Sequence, residues 1–116
     1  MTAEPTLLVL IYADPEKTGL TAEALRIAMG LGTGRRKLQV VLMGPAAKVL
    51  GPDVDDLVDG EMIENHLDVF AEWGTPFHVG GADLGQAADA PVDVVPIDDA
   101  ALARMMAGAD HVMVFP

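Results

Sequence analysis

The sequence predicts a single α/β domain of three layers, in which helices flank a mainly parallel five-stranded sheet. Five short apolar runs alternate with segments that repeat apolar residues at helical spacing, and this alternation is typical of right-handed βαβ crossovers. The chain has 116 residues, which is close to the most common size of one domain. Neither an internal repeat nor a linker interrupts the pattern, so we expect residues 1–116 to form one domain.

The predicted strands are rich in valine, leucine and isoleucine. They are Thr6–Ala13, Leu38–Met43, Pro76–Val79, Val92–Ile97 and Asp110–Phe115. The first two are nearly continuous apolar runs, as expected of strands that are covered on both faces. The fourth is interrupted by Asp93 and Pro96, and proline suits an edge or a strand end better than the centre of a sheet.

Three helices are predicted between these strands. In Leu20–Leu31 and in Glu61–Trp73, apolar residues recur at helical spacing while charged residues face outward. Either Asp98 or Asp99 would cap a last helix, which ends at Gly108.

The composition limits the classes of partner. A net charge of −11 argues against sequence-independent nucleic-acid binding, which needs a basic surface. Positive mean hydropathy, +0.32 in so acidic a chain, indicates extra apolar surface that other subunits would cover. No lysine or arginine occurs between Lys48 and Arg104. This uneven charge either serves solubility or lets an acidic face of one subunit meet a basic face of another.

The chain contains neither cysteine nor serine. A disulfide, a thiolate metal site and the two commonest nucleophiles are therefore excluded, which leaves threonine, lysine or a carboxylate for covalent chemistry. We expect no cofactor. The first apolar run has no basic segment before it and is about half the roughly 20 residues that a membrane span needs. A cytoplasmic protein without membrane contact is the expectation.

Ligands of open parallel sheets bind beyond the carboxyl ends of the strands. Candidate ligand-binding residues at this edge are Asp14, Lys17, Thr18, Gly44, Pro45, Ala46, His78, Gly80 and Gly81. Asp14, Lys17 and Thr18 follow the first strand and precede a helix, whose free N–H groups favour an anion. The alternative is that these residues only form an ordinary capped helix start. The small residues after the second strand, where a short helical turn is expected, leave room for a pocket or for a closely packed neighbouring subunit.

The histidines are separate in sequence. His78 is a candidate general acid or base, with Asp83 as its nearest partner in sequence. His66 lies on the apolar stripe of a predicted helix and His111 opens the last strand, so we expect structural roles for both. No ligand spacing supports a metal site.

Four stretches, taken in order, resemble the DsrE/DsrF-like family. They are "ADPEKTGLTAEALRIAMGL" after the first strand, "LMGPAAKVLG", "FAEWGTPFHV" and the final "LARMMAGADHVMVF". The resemblance covers nearly the whole chain and rests on the order and spacing of apolar motifs. It implies a small α/β domain that associates into homotrimers, homohexamers or mixed hexamers.

Several members of that family carry sulfur as a cysteine persulfide, at the end of the strand that follows the long helix. The corresponding position here is about Gly80, and a persulfide needs a thiol. The resemblance therefore implies a non-catalytic oligomeric protein, an accessory or binding subunit that accompanies a cysteine-bearing relative. Two alternatives remain: a small-molecule or anion-binding protein that uses the strand-end pocket, and a sulfurtransferase-related enzyme that works without its own cysteine.

Overall fold

The computed structural model describes residues 5–32, 37–87 and 89–116. Its strands are β1 (Thr6–Ile11), β2 (Lys37–Met43), β3 (Phe77–Gly80), β4 (Val94–Pro96) and β5 (His111–Phe115). All neighbouring strands run parallel, in the order β4-β3-β2-β1-β5. The predicted parallel five-stranded sheet is confirmed, and the proline-containing strand lies at an edge.

Three α-helices connect the strands within the described residues. They are α1 (Leu20–Gly32), α2 (Gly60–Trp73) and α3 (Asp99–Gly108). Short 3₁₀ segments cover Gly44–Leu50, Val54–Asp56 and Leu84–Ala87. The first of these is the helical turn expected after the second strand. No helix of the described residues has both the length and the apolar character that a bilayer crossing requires.

The main core lies between the sheet and the pair of helices α1 and α2. One row of side chains shows this, because paired residues of parallel strands point to the same face: Val94, Phe77, Val40, Val9 and Met113 follow one another across the sheet. The three central members are fully buried. This face is thus closed by two helices.

The opposite face carries a much smaller core. Here α3 covers Leu8, Leu10 and Val41, which pack against Leu102. Since one helix lies on this face where two lie on the other, the arrangement has three unequal layers.

The ends of two helices position the loops near the ligand edge. Thr18 Oγ1 accepts the Leu20 N–H at 3.2 Å, and the buried Thr21 hydroxyl donates to the Ala13 carbonyl at 2.7 Å. The second bond ties α1 directly to the end of β1. At α3, the Asp98 carboxylate accepts the Ala101 N–H at 2.7 Å, so the N-cap is Asp98 and not Asp99.

Candidate functional site

The segment after β1 meets the segment after β2 through an ion-pair cluster. Lys48 Nζ lies 3.3 Å from Asp14 Oδ1 and 3.3 Å from Glu16 Oε2. The Glu16 N–H donates to Asp14 Oδ1, and this bond, followed by the Lys48 contact, holds the pKa of Asp14 below its usual value. Sequence reasoning missed Lys48, because 34 residues separate it from Asp14 and nothing in the local pattern marks it.

The remaining residues of this loop have structural partners. The N–H groups of Lys17 and Thr18 both donate to the Asp14 carbonyl, at 3.0 and 3.2 Å, so they close a turn before α1 begins. A cavity of about 320 Å³ opens beside Glu16, Lys48 and Leu57. Because two carboxylates already engage Lys48, this cavity does not offer an anion an unpaired lysine.

The small residues after β2 differ in their surroundings. Gly44 adopts a left-handed conformation with φ of +55°, which glycine accepts without strain. Ala46 is fully buried in the main core, whereas Pro45 is exposed. Ala46 therefore packs inside the domain, and Pro45 lies at its surface.

Gly80 lies at the end of β3 in a confined position. It pairs with Met43, and a Cβ atom at Gly80 would lie 2.9 Å from Met43 Sδ and 3.1 Å from the Ile97 carbonyl oxygen. Contacts below 3.0 Å require a neighbour to shift. Gly81, with φ of +64°, comes close to the Gly44 backbone. Glycine at position 80 thus lets Met43 and the Ile97 carbonyl approach closely, and a larger residue there would require both neighbours to shift slightly.

His78 and Asp83 do not form a pair in the described part of the chain. The His78 Nδ1 atom is buried without a hydrogen-bond partner there, while Asp83 Oδ1 accepts the Gly85 N–H at 2.9 Å. Burial lowers the pKa of His78, which favours the neutral imidazole. His78 pairs with Val41 and Val95 and so lies on the face covered by α3.

The other histidines lie elsewhere. His66, buried on α2, belongs to the layer on the opposite face of the sheet from His78, so the two cannot share a ligand. Burial is the first cause that lowers the pKa of His66, and the charge of Arg26 adds to it. His111 is exposed at the amino end of β5, remote from the ligand edge. Among the residues described, no three potential ligands gather as a metal ion would need.

The structure therefore brings the candidate residues into two groups at one sheet edge. Asp14, Lys17 and Thr18 lie with Lys48, and Gly44 lies with Gly80 and Gly81. His78 lies two paired positions before this edge, on the α3 face.

Comparison with known proteins identifies the fold. No family model matches the chain, and no curated protein matches it. A solved structure, that of the ychN protein from E. coli, is similar with a TM-score of 0.70 and 19% sequence identity, over 97% of this chain and 99% of that chain. At this identity the similarity shows the fold, a parallel five-stranded sheet flanked by helices of the DsrE/DsrF-like type.

Proposed function

We propose that this protein is a non-catalytic DsrE/DsrF-like subunit, which assembles with other subunits and serves as an accessory or binding component related to sulfur-relay proteins. The observation that carries the proposal is the incomplete cover of the sheet on the α3 side. The confined position of Gly80 supports the non-catalytic part.

The incomplete cover is seen in the exposure of one row of side chains on this face of the sheet. Across the sheet it runs Val95, His78, Val41, Leu10 and Val114. The central Val41 and Leu10 are buried, but Val95 is 39% and Val114 is 51% exposed. Exposure thus increases away from α3 toward both edges.

Simple dimensions explain this pattern. With strands about 4.8 Å apart, five strands span roughly 19 Å between the outer ones, whereas a helix with its side chains is about 10 Å wide. One helix therefore covers about two strands. Val112 on β5 and Met106 on α3 are also exposed to nearly two-fifths. Apolar side chains grouped on one face are typical of a surface that contacts another subunit.

The strand end at Gly80 argues against sulfur transfer by this chain. The chain has no thiol, and a side chain at position 80 would start 2.9 Å from Met43 Sδ and 3.1 Å from the Ile97 carbonyl oxygen, so both neighbours would have to shift. The activity of an assembly would then come from a different, cysteine-bearing subunit. We propose a homotrimer, a homohexamer or a mixed oligomer with such a relative, in the cytoplasm, without nucleic acid, membrane or cofactor.

The α3 face can be tested with one charged substitution. Val114→Asp introduces a carboxylate into the proposed interface, where its desolvation should weaken association by at least about tenfold. Because the Val114 side chain is half exposed, the subunit itself should stay folded. Sedimentation velocity gives the association state, and circular dichroism gives the fold.

Val58→Asp is the matched control. Val58 is 37% exposed and lies beside the start of α1, on the other side of the molecule from α3. The Val58→Asp variant should associate as the wild-type chain does. Equal association of the Val114→Asp variant and the wild-type chain would exclude this face as the interface.

A second candidate function is small-molecule binding at the strand-end cavity beside Lys48. The cavity of about 320 Å³ favours it, and a ligand retained on purification with constant stoichiometry would support it. A sulfurtransferase-related enzyme that lacks its own cysteine is a third candidate, in which His78, Asp14 and Lys17 would have to act. Turnover that follows the titration of His78, and that is lost in His78→Gln, would support this candidate.

A further inference from the structure

A second, larger cavity lies on the opposite side of the sheet from α3. It has a volume of about 630 Å³ and opens between α2, the 3₁₀ segments that follow β2 and the loop from β3 to β4. This volume lies within the range of about 300–1,000 Å³ that small-molecule sites occupy. None of the nine candidate ligand-binding residues from the sequence lines it, whereas Asp83, the partner expected for His78, does.

The floor of this cavity is apolar and belongs to the main core. Val49, Leu50 and Leu67 line it and are each at most 3% exposed, and Val54 is 9% exposed. Because these side chains are held by core packing, the floor is already formed without a ligand. An apolar body placed there would lose contact with water on one whole side.

The rim of the cavity is acidic. Its carboxylates are Glu64, Asp68, Asp83 and Asp89. No lysine or arginine of the described residues lines the cavity, because all its residues fall in the stretch from Lys48 to Arg104 that lacks both. The nearest lysine in sequence, Lys48, is engaged by Asp14 and Glu16. The rim thus concentrates negative charge without a cation to balance it.

Glu64 lies among other carboxyls, of which Asp68 also lines the cavity and Asp55 does not. The neighbouring Asp55 carboxyl raises the pKa of Glu64, partial burial adds to the effect, and Asp68 and Glu61 act in the same direction. A bound cation would relieve this repulsion and would return the pKa of Glu64 toward its ordinary value.

We propose that this cavity binds a small organic cation, an ammonium group attached to an apolar body. The apolar floor would receive the body, and the carboxylates of the rim would receive the charge. A bare metal ion fits poorly, since the described residues hold no group of three converging ligands and the floor side chains, all valine or leucine, carry no oxygen. An anion would meet only like charge. This site is separate from the α3 face, so ligand binding here can be tested independently of the proposed assembly.

The probe we would use is 1-naphthylmethylamine, with 1-naphthylmethanol and 1-naphthylacetate as neutral and anionic analogues of the same shape. We expect the amine to bind at least about tenfold more tightly than the alcohol, which is about 1.4 kcal/mol, since hydrogen bonds from an ammonium group to carboxylates are stronger than those from a neutral hydroxyl. The acetate should not bind. Amide chemical-shift changes in two-dimensional NMR should locate the amine at Asn65, Leu67, Gly85 and Ala90, which line the cavity.

The double variant Glu64→Gln/Asp68→Asn removes half of the rim charge. It should weaken binding of the amine by about tenfold and leave binding of the alcohol unchanged. The variant should fold, because it reduces repulsion between carboxylates. Glu72→Gln is the matched control, since Glu72 is exposed on the same helix but does not line the cavity. Added salt should weaken binding of the amine in the wild-type chain.

Four outcomes would overturn the proposal. The first two are equal binding of the amine and the alcohol, and amide shifts outside the cavity. The others are a double variant that binds the amine as tightly as the Glu72→Gln control does, and absence of binding at millimolar amine.

Discussion

At the scale of single residues, Gly80 determines what the end of β3 can do. A Cβ atom there would lie 2.9 Å from Met43 Sδ and 3.1 Å from the Ile97 carbonyl oxygen. The first neighbour is a flexible side chain that can move, but the second is backbone. A side chain at position 80 therefore needs the backbone at Ile97, just after β4, to shift by a few tenths of an ångström.

Gly80→Ala should lower the free energy of unfolding by about 1–3 kcal/mol, the usual cost of inserting an atom into packed surroundings. Gly30→Ala is the control, because a Cβ atom there comes within 4 Å of none of the residues that the structure describes. This glycine lies inside α1, so the control should gain about 0.5–1 kcal/mol from helix propensity. Urea unfolding measures the free energy of unfolding of both variants. A Gly80→Ala variant as stable as the wild-type chain would show that the strand end is open.

The buried His66 and the partly buried His78 make stability depend on pH. Burial lowers the pKa of both His66 and His78, and unfolding returns each to an ordinary value of about 6.5. The unfolded chain then binds more protons, so this contribution to stability is complete above about pH 6.5 and decreases as the pH falls below it. His78→Gln should reduce the loss of stability between neutral and mildly acid pH. The carboxylates contribute equally in both proteins, so the difference between their unfolding curves isolates His78. Parallel curves would contradict the burial of this imidazole.

These residue-level features were only partly accessible from the sequence. The residue types at the ligand edge were recognised, because strand ends are marked by glycine, proline and aspartate. The contact of Lys48 with Asp14 and the position of Ile97 beside Gly80 were not, since both depend on segments that are distant in sequence. The glycine pair at 80–81 allows either a ligand or another backbone to approach; the Ile97 and Gly44 backbones lie nearby, and the approach of a ligand stays a prediction.

At the scale of elements, α3 is the least securely held helix. It has one buried residue, Leu102, and its start depends on the Asp98 cap. Because α3 is the one helix of the described structure that lies on its face of the sheet, loss of this cap should expose Leu8 and Leu10 as well. The stability of α3 therefore also controls the proposed interface.

Asp98→Ala should lower the free energy of unfolding by about 1 kcal/mol, since it removes the acceptor of the Ala101 N–H. Asp99→Ala, one residue later, removes a first-turn carboxylate without a cap bond and should cost about 0.3 kcal/mol. Thermal unfolding of the two variants under the same conditions compares them. Equal losses would show that the cap does not determine where α3 begins.

The elements themselves were largely predictable, since each has a clear apolar period. Their ends were less so. The first strand was expected to reach Ala13 but ends at Ile11, because Ala13 turns its carbonyl toward the Thr21 hydroxyl. The fourth strand was expected over Val92–Ile97 but covers Val94–Pro96. Its proline cannot donate a hydrogen bond, and it ends the strand at the edge of the sheet.

At the scale of the whole molecule, the two faces of the sheet differ in how much cover they have. The sequence indicated excess apolar surface through its mean hydropathy, but it could not place that surface. An apolar residue in a strand gives the same sequence pattern whether a helix of its own chain or another subunit covers it. Val114 and Val9 illustrate the point: both lie in apolar strands, yet one is half exposed and the other is fully buried.

The mass of the native wild-type chain in solution tests the central proposal most directly. Native mass spectrometry at micromolar concentration should give a multiple of the subunit mass of 12.2 kDa, a trimer or a hexamer if the chain assembles with itself. The same spectrum reports any retained small molecule as an added mass. A mass of one subunit at every concentration, alone and after mixing with a cysteine-bearing relative, would contradict the account of the α3 face as an interface.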